Sequence, residues 1–395
     1  MQGAVEGELR LLRRCWGWWW EMFSARGLIS DAHEAAINAV AYSPHRREFY
    51  TAGADNLVKC WETESGAFVR SLAGHKGWVT DLLYIPSLRQ LVSSSIDGKL
   101  LCWGLKAGST QSKNEKIDFH SLCEDQPGGD LGTPIHCMAY CERRRMLVTA
   151  TDGTINMYTV KVENRKMKLE FISKVRQHAD LIRILLIIED RLVLSAGYDR
   201  KIGVFDLDTE VRSYIAKPAD GGHDGAIAAM TFDTLNNRVI TGGYDRRVKV
   251  WSTDGRLLQN FEDFATSVTG LCYCEVTRHL WACCSCGRPY VYDLHSGSNI
   301  TEIVHTGVDG LRSPSMLKLW YFEGTKDVIA TYVISLPHPA LCSRPSHTRH
   351  VPLTGLQHGE SRGDLLALQP HRSAARLARP LELGGSAGGL QPAGS

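Results

Sequence analysis

Short segments in which apolar and polar residues alternate recur along most of the chain. Clear examples are segments 37–42 and 58–61, in which every second residue is apolar or aromatic. A period of two residues is typical of a β-strand that buries one face. Residues that favour turns, such as those at 43–44 and 64–66, lie between such segments. The pattern predicts an all-β fold made of many short strands.

The strand pattern belongs to a longer repeat that is marked by four polar or aromatic residues. In three copies a histidine is followed 22 residues later by an aspartate, and a tryptophan follows six residues after that aspartate. A serine or threonine lies ten residues before each tryptophan. The three sets are His33, Thr51, Asp55 and Trp61; His75, Ser93, Asp97 and Trp103; and His223, Thr241, Asp245 and Trp251.

Three weaker copies extend the repeat along the chain. The fourth copy has a first interval that is one residue shorter and ends in phenylalanine instead of tryptophan; its members are His178, Ser195, Asp199 and Phe205. Two degenerate copies keep only the spacing, in the pairs Asp152 and Tyr158, and Cys286 and Tyr292. The aromatic residues that end the six copies are 41 to 55 residues apart. Four short strands with their turns fit that length.

This repeat resembles those of the WD40 β-propeller family. The likeness lies in Gly74-His75 and Gly222-His223 at the repeat starts and in the aromatic repeat ends, and it covers about residues 25–332. It implies a ring of four-stranded blades. It also implies that the His, Ser or Thr, Asp and Trp of each set form a hydrogen-bonded structural network. A catalytic triad would occur once, whereas these sets recur with the blade period.

The resemblance implies six full blades and a truncated seventh within residues 25–335. The seventh has strand-like segments at 317–321 and 326–332, and we expect its third and fourth strands to be absent. Propellers of this family close by borrowing an N-terminal strand, and residues 23–30 are placed to supply one. We expect an insertion at about 106–132 to be a solvated loop.

Two terminal segments differ from the repeats. Residues 336–395 contain no Lys, Ile, Asn, Met, Phe, Tyr or Trp, and we expect a disordered or foreign tail, such as a splice or frame change, with a partner-binding motif as the alternative. Residues 1–24 form a Trp-rich extension. Its function as a partner or membrane anchor, and its packing on the propeller, are both left open. The tryptophans concerned are Trp16, Trp18, Trp19 and Trp20.

One face of the ring carries a candidate partner surface. Each repeat offers one residue directly before its network aspartate, and in two repeats this residue is tyrosine. Tyrosine, tryptophan and arginine are enriched in binding hot spots. We expect other proteins or peptides to bind here, with ordinary rim packing as the alternative. The candidate residues are Trp78, Tyr198, Arg200, Tyr244 and Arg246.

Composition and charge narrow the functional classes. The 395 residues are 43% hydrophobic with a formal net charge of +2, which suits a globular protein and does not favour non-specific nucleic-acid binding. The apolar stretch 181–194 contains four charged residues, so we expect no membrane span. Five cysteines lie between 272 and 286. We expect them to be small buried side chains and not zinc ligands, because they fall within neighbouring strands.

These observations predict a non-enzymatic scaffold without a cofactor, either monomeric or part of a complex. No signal peptide is recognisable, so we expect a cytoplasmic protein, with cytoskeletal, ciliary and nuclear locations left open. One alternative is a fragment or isoform of a larger multi-propeller cytoskeletal or ciliary protein. Another is an enzyme with its site in the central channel. That hypothesis needs unique polar residues near the ring axis, and none stands out in the sequence.

Overall fold

The computed structural model is built almost entirely of β-strands. Its described residues form seven four-stranded antiparallel sheets, which confirms the predicted all-β fold. One short 3-10 helix occurs among them, at Pro218–Asp220, and none of their helices is long and apolar enough to cross a membrane. The structure describes residues 23–104, 119–121, 133–163, 166–262, 264–286, 289–302, 315–322, 327–335 and 361–370.

The strands follow the chain, with four consecutive strands in each of the first six blades. The N-terminal strand, which belongs to the seventh blade, is β1 Phe23–His33. Blade 1 comprises β2 Ile37–Ser43, β3 Glu48–Gly53, β4 Leu57–Glu62 and β5 Phe68–Ala73. Blade 2 comprises β6 Val79–Ile85, β7 Gln90–Ser95, β8 Leu100–Trp103 and β9 Phe119–Ser121. Blade 3 comprises β10 Cys137–Cys141, β11 Met146–Thr151, β12 Thr154–Glu163 and β13 Lys166–Arg176.

The remaining blades continue this order until the last. Blade 4 comprises β14 Ile182–Ile188, β15 Leu192–Gly197, β16 Ile202–Asp206 and β17 Arg212–Ala216. Blade 5 comprises β18 Ile227–Asp233, β19 Arg238–Gly243, β20 Val248–Ser252 and β21 Leu257–Phe261. Blade 6 comprises β22 Val268–Cys274, β23 His279–Cys284, β24 Pro289–Asp293 and β25 Ser298–Glu302. Blade 7 comprises β26 Ser315–Phe322, β27 Asp327–Ser335, β28 Ser361–Pro370 and β1.

The seven blades form a closed ring through their first strands. Each first strand contacts the first strand of the next blade, in the order β2, β6, β10, β14, β18, β22 and β26, and β26 contacts β2 again. The first strands therefore surround a central channel. Because neighbouring strands are antiparallel, the turns between second and third strands all lie at one end of the ring. We call this end the upper face.

The hydrophobic core lies between neighbouring blades. One buried cluster combines Ala39 and Tyr50 of blade 1 with Leu82 and Trp103 of blade 2. Another joins blades 5 and 6 around Tyr292. Burial of one large apolar side chain contributes about 1.5–3 kcal/mol, so the ring is stabilised mainly by contacts between sheets.

The seventh blade differs from the sequence expectation. It has four strands, because β28 lies between β27 and β1 and pairs with both. The segment 361–370, which the sequence placed in a disordered tail, therefore supplies the strand expected to be missing. Its core is Leu-Leu-Ala-Leu at 365–368, which lacks the β-branched and aromatic residues that mark a strand. The N-terminal strand β1 completes the blade, in the place expected for it.

A second difference lies in the insertion. Residues 119–121 form β9, the outer strand of blade 2, which pairs with β8, whereas the sequence assigned them to a loop. Three residues are too few to show a periodicity. The rest of the insertion, the Trp-rich run within 1–22, and the tail segments 336–360 and 371–395 lie outside the described residues.

The closure of blade 7 is testable by truncation. A chain ending at Ser335 lacks β28, which leaves β1 and β27 without their shared partner. We expect its thermal midpoint to fall by about 5 °C or more and trypsin to cleave first near β1. The matched control ends at Pro370 and keeps β28. If both truncated chains melt at the same temperature, β28 does not close the ring.

Candidate functional site

The four repeat residues of blade 1 form one chain of hydrogen bonds. His33 Nδ1 lies 2.9 Å from the Asp55 carboxylate, which can only accept, so this nitrogen donates. His33 Nε2 then accepts from Thr51 Oγ1 at 2.7 Å. Trp61 Nε1 donates to the same hydroxyl oxygen at 2.9 Å. Each polar group of this buried chain thus has a partner of the right kind.

The same chain of bonds recurs in three other blades. In blade 4 the last position is Phe205, which has no donor, and the first two bonds remain. The His–Asp distances are 3.2 Å for His75–Asp97, 2.8 Å for His178–Asp199 and 2.8 Å for His223–Asp245. The His–hydroxyl distances are 2.7 Å to Ser93, 2.8 Å to Ser195 and 2.8 Å to Thr241. Trp103 and Trp251 each donate to their hydroxyl at 2.9 Å.

The aspartates also hold the backbone of the upper face. Asp97 accepts from the backbone N–H of Lys76 at 2.8 Å and of Lys99 at 3.0 Å. One donor belongs to the loop before blade 2 and the other to the turn inside it, so one carboxylate ties the two together. Burial alone would raise the pKa of Asp97. The two backbone hydrogen bonds and His75 together lower it by a larger amount, so the net pKa lies below its usual value. The carboxylate therefore stays ionised in the folded protein.

A glycine leaves room for this contact in blade 1. A Cβ atom on Gly53 would lie 2.3 Å from both Asp55 Oδ1 and His33 Nδ1. Any larger residue there would force the His–Asp pair apart. Blade 5 has Gly243 at the equivalent place, with the same two groups at 3.0 and 3.2 Å.

The two degenerate blades hold their turns differently. In blade 3, Asp152 is exposed, and its carboxylate lies 3.7 Å from His136 Nε2. In blade 6 the backbone N–H of Cys286 donates to Thr266 Oγ1 at 3.1 Å. The predicted sets in these blades therefore lack the buried chain of bonds.

The structure brings two of the predicted partner-surface residues together. Tyr198 of blade 4 and Tyr244 of blade 5 have ring centroids 6.2 Å apart, and their exposed fractions are 43% and 46%. Arg200 and Arg246 follow two residues later, are exposed and adopt positive φ angles of 65° and 64°. We call Tyr198, Tyr244, Arg200 and Arg246 the tyrosine patch.

Trp78 lies apart from the tyrosine patch. It is 52% exposed and precedes β6, so it belongs to blade 2 on the same face. Blade 3 separates it from blade 4. Its backbone carbonyl accepts from Ile96 N–H at 3.1 Å, which fixes the backbone of Trp78. Its indole lies on the surface. Trp78 is therefore a second exposed aromatic site rather than a member of one continuous surface.

Three charged residues of the central channel were missed by the sequence analysis, so the statement that no polar residue stands out near the axis is wrong. Asp81 lies on β6, Arg183 on β14 and Lys318 on β26, all first strands. Asp81 accepts from Met138 N–H at 2.8 Å, and Lys318 Nζ donates to the Asn38 carbonyl at 2.8 Å. A signal existed in the sequence, because the other five blades have Ala, Cys, Ile or Gly where Asp81 and Lys318 occur.

The cysteines of blade 6 lie inside the sheet. Cys272, Cys274, Cys283 and Cys284 are buried. Burial raises the pKa of Cys283 to about 12, which favours the neutral thiol over the thiolate that binds zinc. Within the described part of the chain, no group of His, Cys, Asp and Glu is arranged to hold a metal ion.

A closed ring of four-stranded sheets around a central channel defines the class of β-propellers. The model for "WD domain, G-beta repeat" matches residues 27–62, 66–104 and 217–252, which contain the first three strands of blades 1, 2 and 5. These are the three blades with complete networks. The chain therefore contains WD40 repeats in these three segments.

Three curated relatives resemble parts of the chain. The human NACHT domain- and WD repeat-containing protein 1 is 28% identical over 34% of the chain, which corresponds to 8% of that protein. The Ribosome biogenesis protein WDR12 homolog of Brugia malayi is 32% identical over 20% of the chain and 19% of its own length. Autophagy-related protein 16 of Arabidopsis thaliana is 22% identical over 69% of the chain. The match with this third relative spans 50% of its length.

The importance of the network can be measured with one aspartate. Asp245→Ala removes the acceptor of His223 and of the backbone N–H groups of Asp224 and Arg247. We expect the free energy of unfolding to fall by about 2 kcal/mol, because the buried His223 loses its acceptor at a cost of about 1–3 kcal/mol, whereas the two backbone N–H groups are nearer to water. Urea denaturation measures it. The control is Asp254→Ala, at an exposed turn, with an expected change of about 0.5 kcal/mol or less; equal effects would contradict the role of the network.

Acid should destabilise the ring through the same groups. The pKa of His75 is lowered by burial. Burial raises the pKa of Asp245, but His223 and the backbone N–H groups of Asp224 and Arg247 together lower it by more, so that pKa lies below its usual value. Because both pKa values are lower in the folded protein, each group takes up its proton at a higher pH in the unfolded chain. Stability should therefore decline below about pH 6.5 and more steeply below about pH 4. Asp81, whose pKa is raised by burial, acts in the opposite direction but is a single group.

The test is urea denaturation between pH 3 and pH 7, with Asp245→Asn beside the wild type. We expect a shallower decline below about pH 4 for the variant, which has lost one of these carboxylates. An identical slope for both chains would show that the network aspartates do not set the acid response.

Proposed function

We propose that the protein is a non-enzymatic scaffold that binds other proteins or peptides through the upper face of its ring. The observation that carries this proposal is the tyrosine patch. Two tyrosines from adjacent blades contact each other and yet remain nearly half exposed. Exposed aromatic clusters next to arginine are typical of binding hot spots.

The turns that carry the patch support the proposal. Tyr198 precedes Asp199 and Tyr244 precedes Asp245, and both aspartates are held by a buried histidine. The backbone N–H of Tyr244 donates to the Ala226 carbonyl at 2.9 Å, and that of Tyr198 donates to the Leu181 carbonyl at 2.9 Å. Because both turns are fixed before binding, the scaffold would lose little conformational entropy when a partner binds.

The arrangement of the repeated networks favours a scaffold over an enzyme. Thr51 and Thr241 are fully buried, and each hydroxyl accepts from an indole N–H while it donates to a histidine. A hydroxyl engaged in this way is not available as a nucleophile, which must reach a substrate. The sets thus stabilise the blades.

The wider setting of the scaffold remains a prediction. The cytoplasmic location, and the alternative of a piece of a larger cytoskeletal or ciliary protein, rest on the sequence alone. The names of two relatives refer to ribosome biogenesis and to autophagy. These names describe the relatives and do not assign a process to this chain. The chain spans half or less of the length of the three relatives described above.

The proposal is tested by quantitative affinity purification of the tagged full chain from cells. Tyr244→Ala should reduce the recovery of at least one specific partner by about tenfold, which corresponds to about 1.4 kcal/mol of binding energy. The matched control is Leu257→Ala, because Leu257 is 44% exposed but lies on the outer strand of the same blade. Both variants should melt like the wild type. Recovery of every partner at wild-type levels by Tyr244→Ala would overturn the tyrosine patch as the binding site.

A further inference from the structure

The first strands of the blades share an irregularity near the upper face. Near the start of each first strand except β10, one residue has no partner in the neighbouring second strand, so that the pairing shifts by one position. We call these unpaired positions the skipped residues. Residue His136, directly before β10, occupies the corresponding place in blade 3. The skipped residues are Asn38, Thr80, Arg183, Ala228, Thr269 and Leu317.

In blades 1 and 2 the skipped residue bonds to the next blade. Asn38 Nδ2 donates to the Val79 carbonyl at 2.8 Å, and Thr80 Oγ1 donates to the Ile135 carbonyl at 2.6 Å. Arg183 is different. Its side chain is half-buried, and within the described residues no hydrogen bond or ion pair holds its guanidinium.

The electrostatic neighbours of Arg183 place its charge in the central channel. It acts on Asp81 of blade 2, His136 of blade 3 and Lys318 of blade 7. It also acts on Tyr244 of blade 5. The geometry agrees, because β14 is one of the first strands that surround the channel and Arg183 is its skipped residue near the upper face. The guanidinium therefore lies in the channel near the end that opens beside the tyrosine patch.

The channel holds more positive than negative charge among the described residues. Asp81 is already engaged by the backbone N–H groups of Leu82 and Met138 at 2.9 and 2.8 Å. Lys318 carries the opposite charge. Its pKa is lowered to about 8, mainly by burial and to a lesser extent by the nearby Arg183. The first-strand positions that correspond to Asp81 and Lys318 in blades 1 and 5 are Ala39 and Ala229. Two cations thus face one carboxylate, and a bound anion would relieve their repulsion.

We propose that this channel mouth binds one carboxylate side chain of an acidic peptide segment from a partner protein, with the carboxylate on Arg183 and the neighbouring peptide on Tyr198 and Tyr244. The proposal rests on the proposed scaffold function and names the chemistry of the partner. Arginine pairs with carboxylates through two parallel hydrogen bonds. A single negative charge balances the channel, whereas the second charge of a phosphate dianion would face Asp81. A peptide also covers the tyrosine patch, which a free anion would leave exposed.

The experiment starts from a phage-displayed library of twelve-residue peptides, selected on the wild-type chain and on Arg183→Gln. We expect wild-type selections to enrich peptides with Asp or Glu at one fixed position beside aromatic or apolar residues. A synthetic peptide from that selection and its Glu→Gln or Asp→Gln counterpart are then titrated by fluorescence anisotropy. Arg183→Gln and the peptide substitution should each raise Kd about tenfold or more, and together little further, because both remove the same pair.

Control variants separate the outcomes. Arg256→Gln changes an exposed arginine in the turn between β20 and β21, on the opposite face, and should leave Kd unchanged. Equal affinity of the acidic and neutral peptides, independent effects of the two substitutions, or displacement of the peptide by 10 mM inorganic phosphate would overturn the proposal. If Tyr244→Ala loses cellular partners while Arg183→Gln keeps them, the scaffold function stands and the carboxylate site fails. If neither variant changes any partner and no peptide is selected, the scaffold function of this face fails as well.

Discussion

The hydrogen bond between a histidine and an aspartate on the upper face is the interaction on which the architecture depends. The histidine lies at the end of the preceding outer strand or in the loop after it, and the aspartate lies in the turn between the second and third strands of the blade. Their contact, at 2.8 Å for His223 and Asp245, fixes the start of the first strand relative to the turn. The side chain before the aspartate cannot follow it inward, so Tyr198 and Tyr244 remain on the surface. In the four blades that have it, this one bond fixes the turn and presents the residue before the aspartate.

The ring adds a constraint that no single blade contains. Seven first strands approach one axis, so a residue on one of them meets residues of distant blades. Gly270 shows how close this approach is, because a Cβ atom there would lie 2.8 Å from the backbone of β26. Small residues at such positions leave space for the long side chains of Arg183 and Lys318.

The sequence predicted the features that repeat and missed those that occur once. The four-residue sets were visible because identical spacings recur, and the contacts that the resemblance implied for them are those seen in blades 1, 2, 4 and 5. Strand β28 was missed because backbone pairing on both sides selects it, while its Leu-rich sequence carries no strong strand signal. The channel charges were missed because Asp81 and Lys318 lie far apart in sequence and only the closure of the ring brings them near one another. The tyrosine patch was predicted as part of a larger group, but the sequence could not show that blade 3 separates Trp78 from it.

The networks also show which of their members a blade can lose. In blade 4 the indole is replaced by Phe205, which remains 4% exposed, while Ser195 still bonds to His178 at 2.8 Å. The indole N–H is the last donor of the chain, so its loss removes a donor together with its bond and leaves only a spare acceptor site on the hydroxyl. The aspartate is at the other end and accepts from a histidine and from two backbone N–H groups, as Asp199 does with His178, Ala179 and Lys201. Loss of that acceptor leaves three donors unpaired, which costs more than loss of one donor. The order of donors and acceptors therefore explains why blade 4 keeps its aspartate and presents Tyr198 although it lacks the tryptophan.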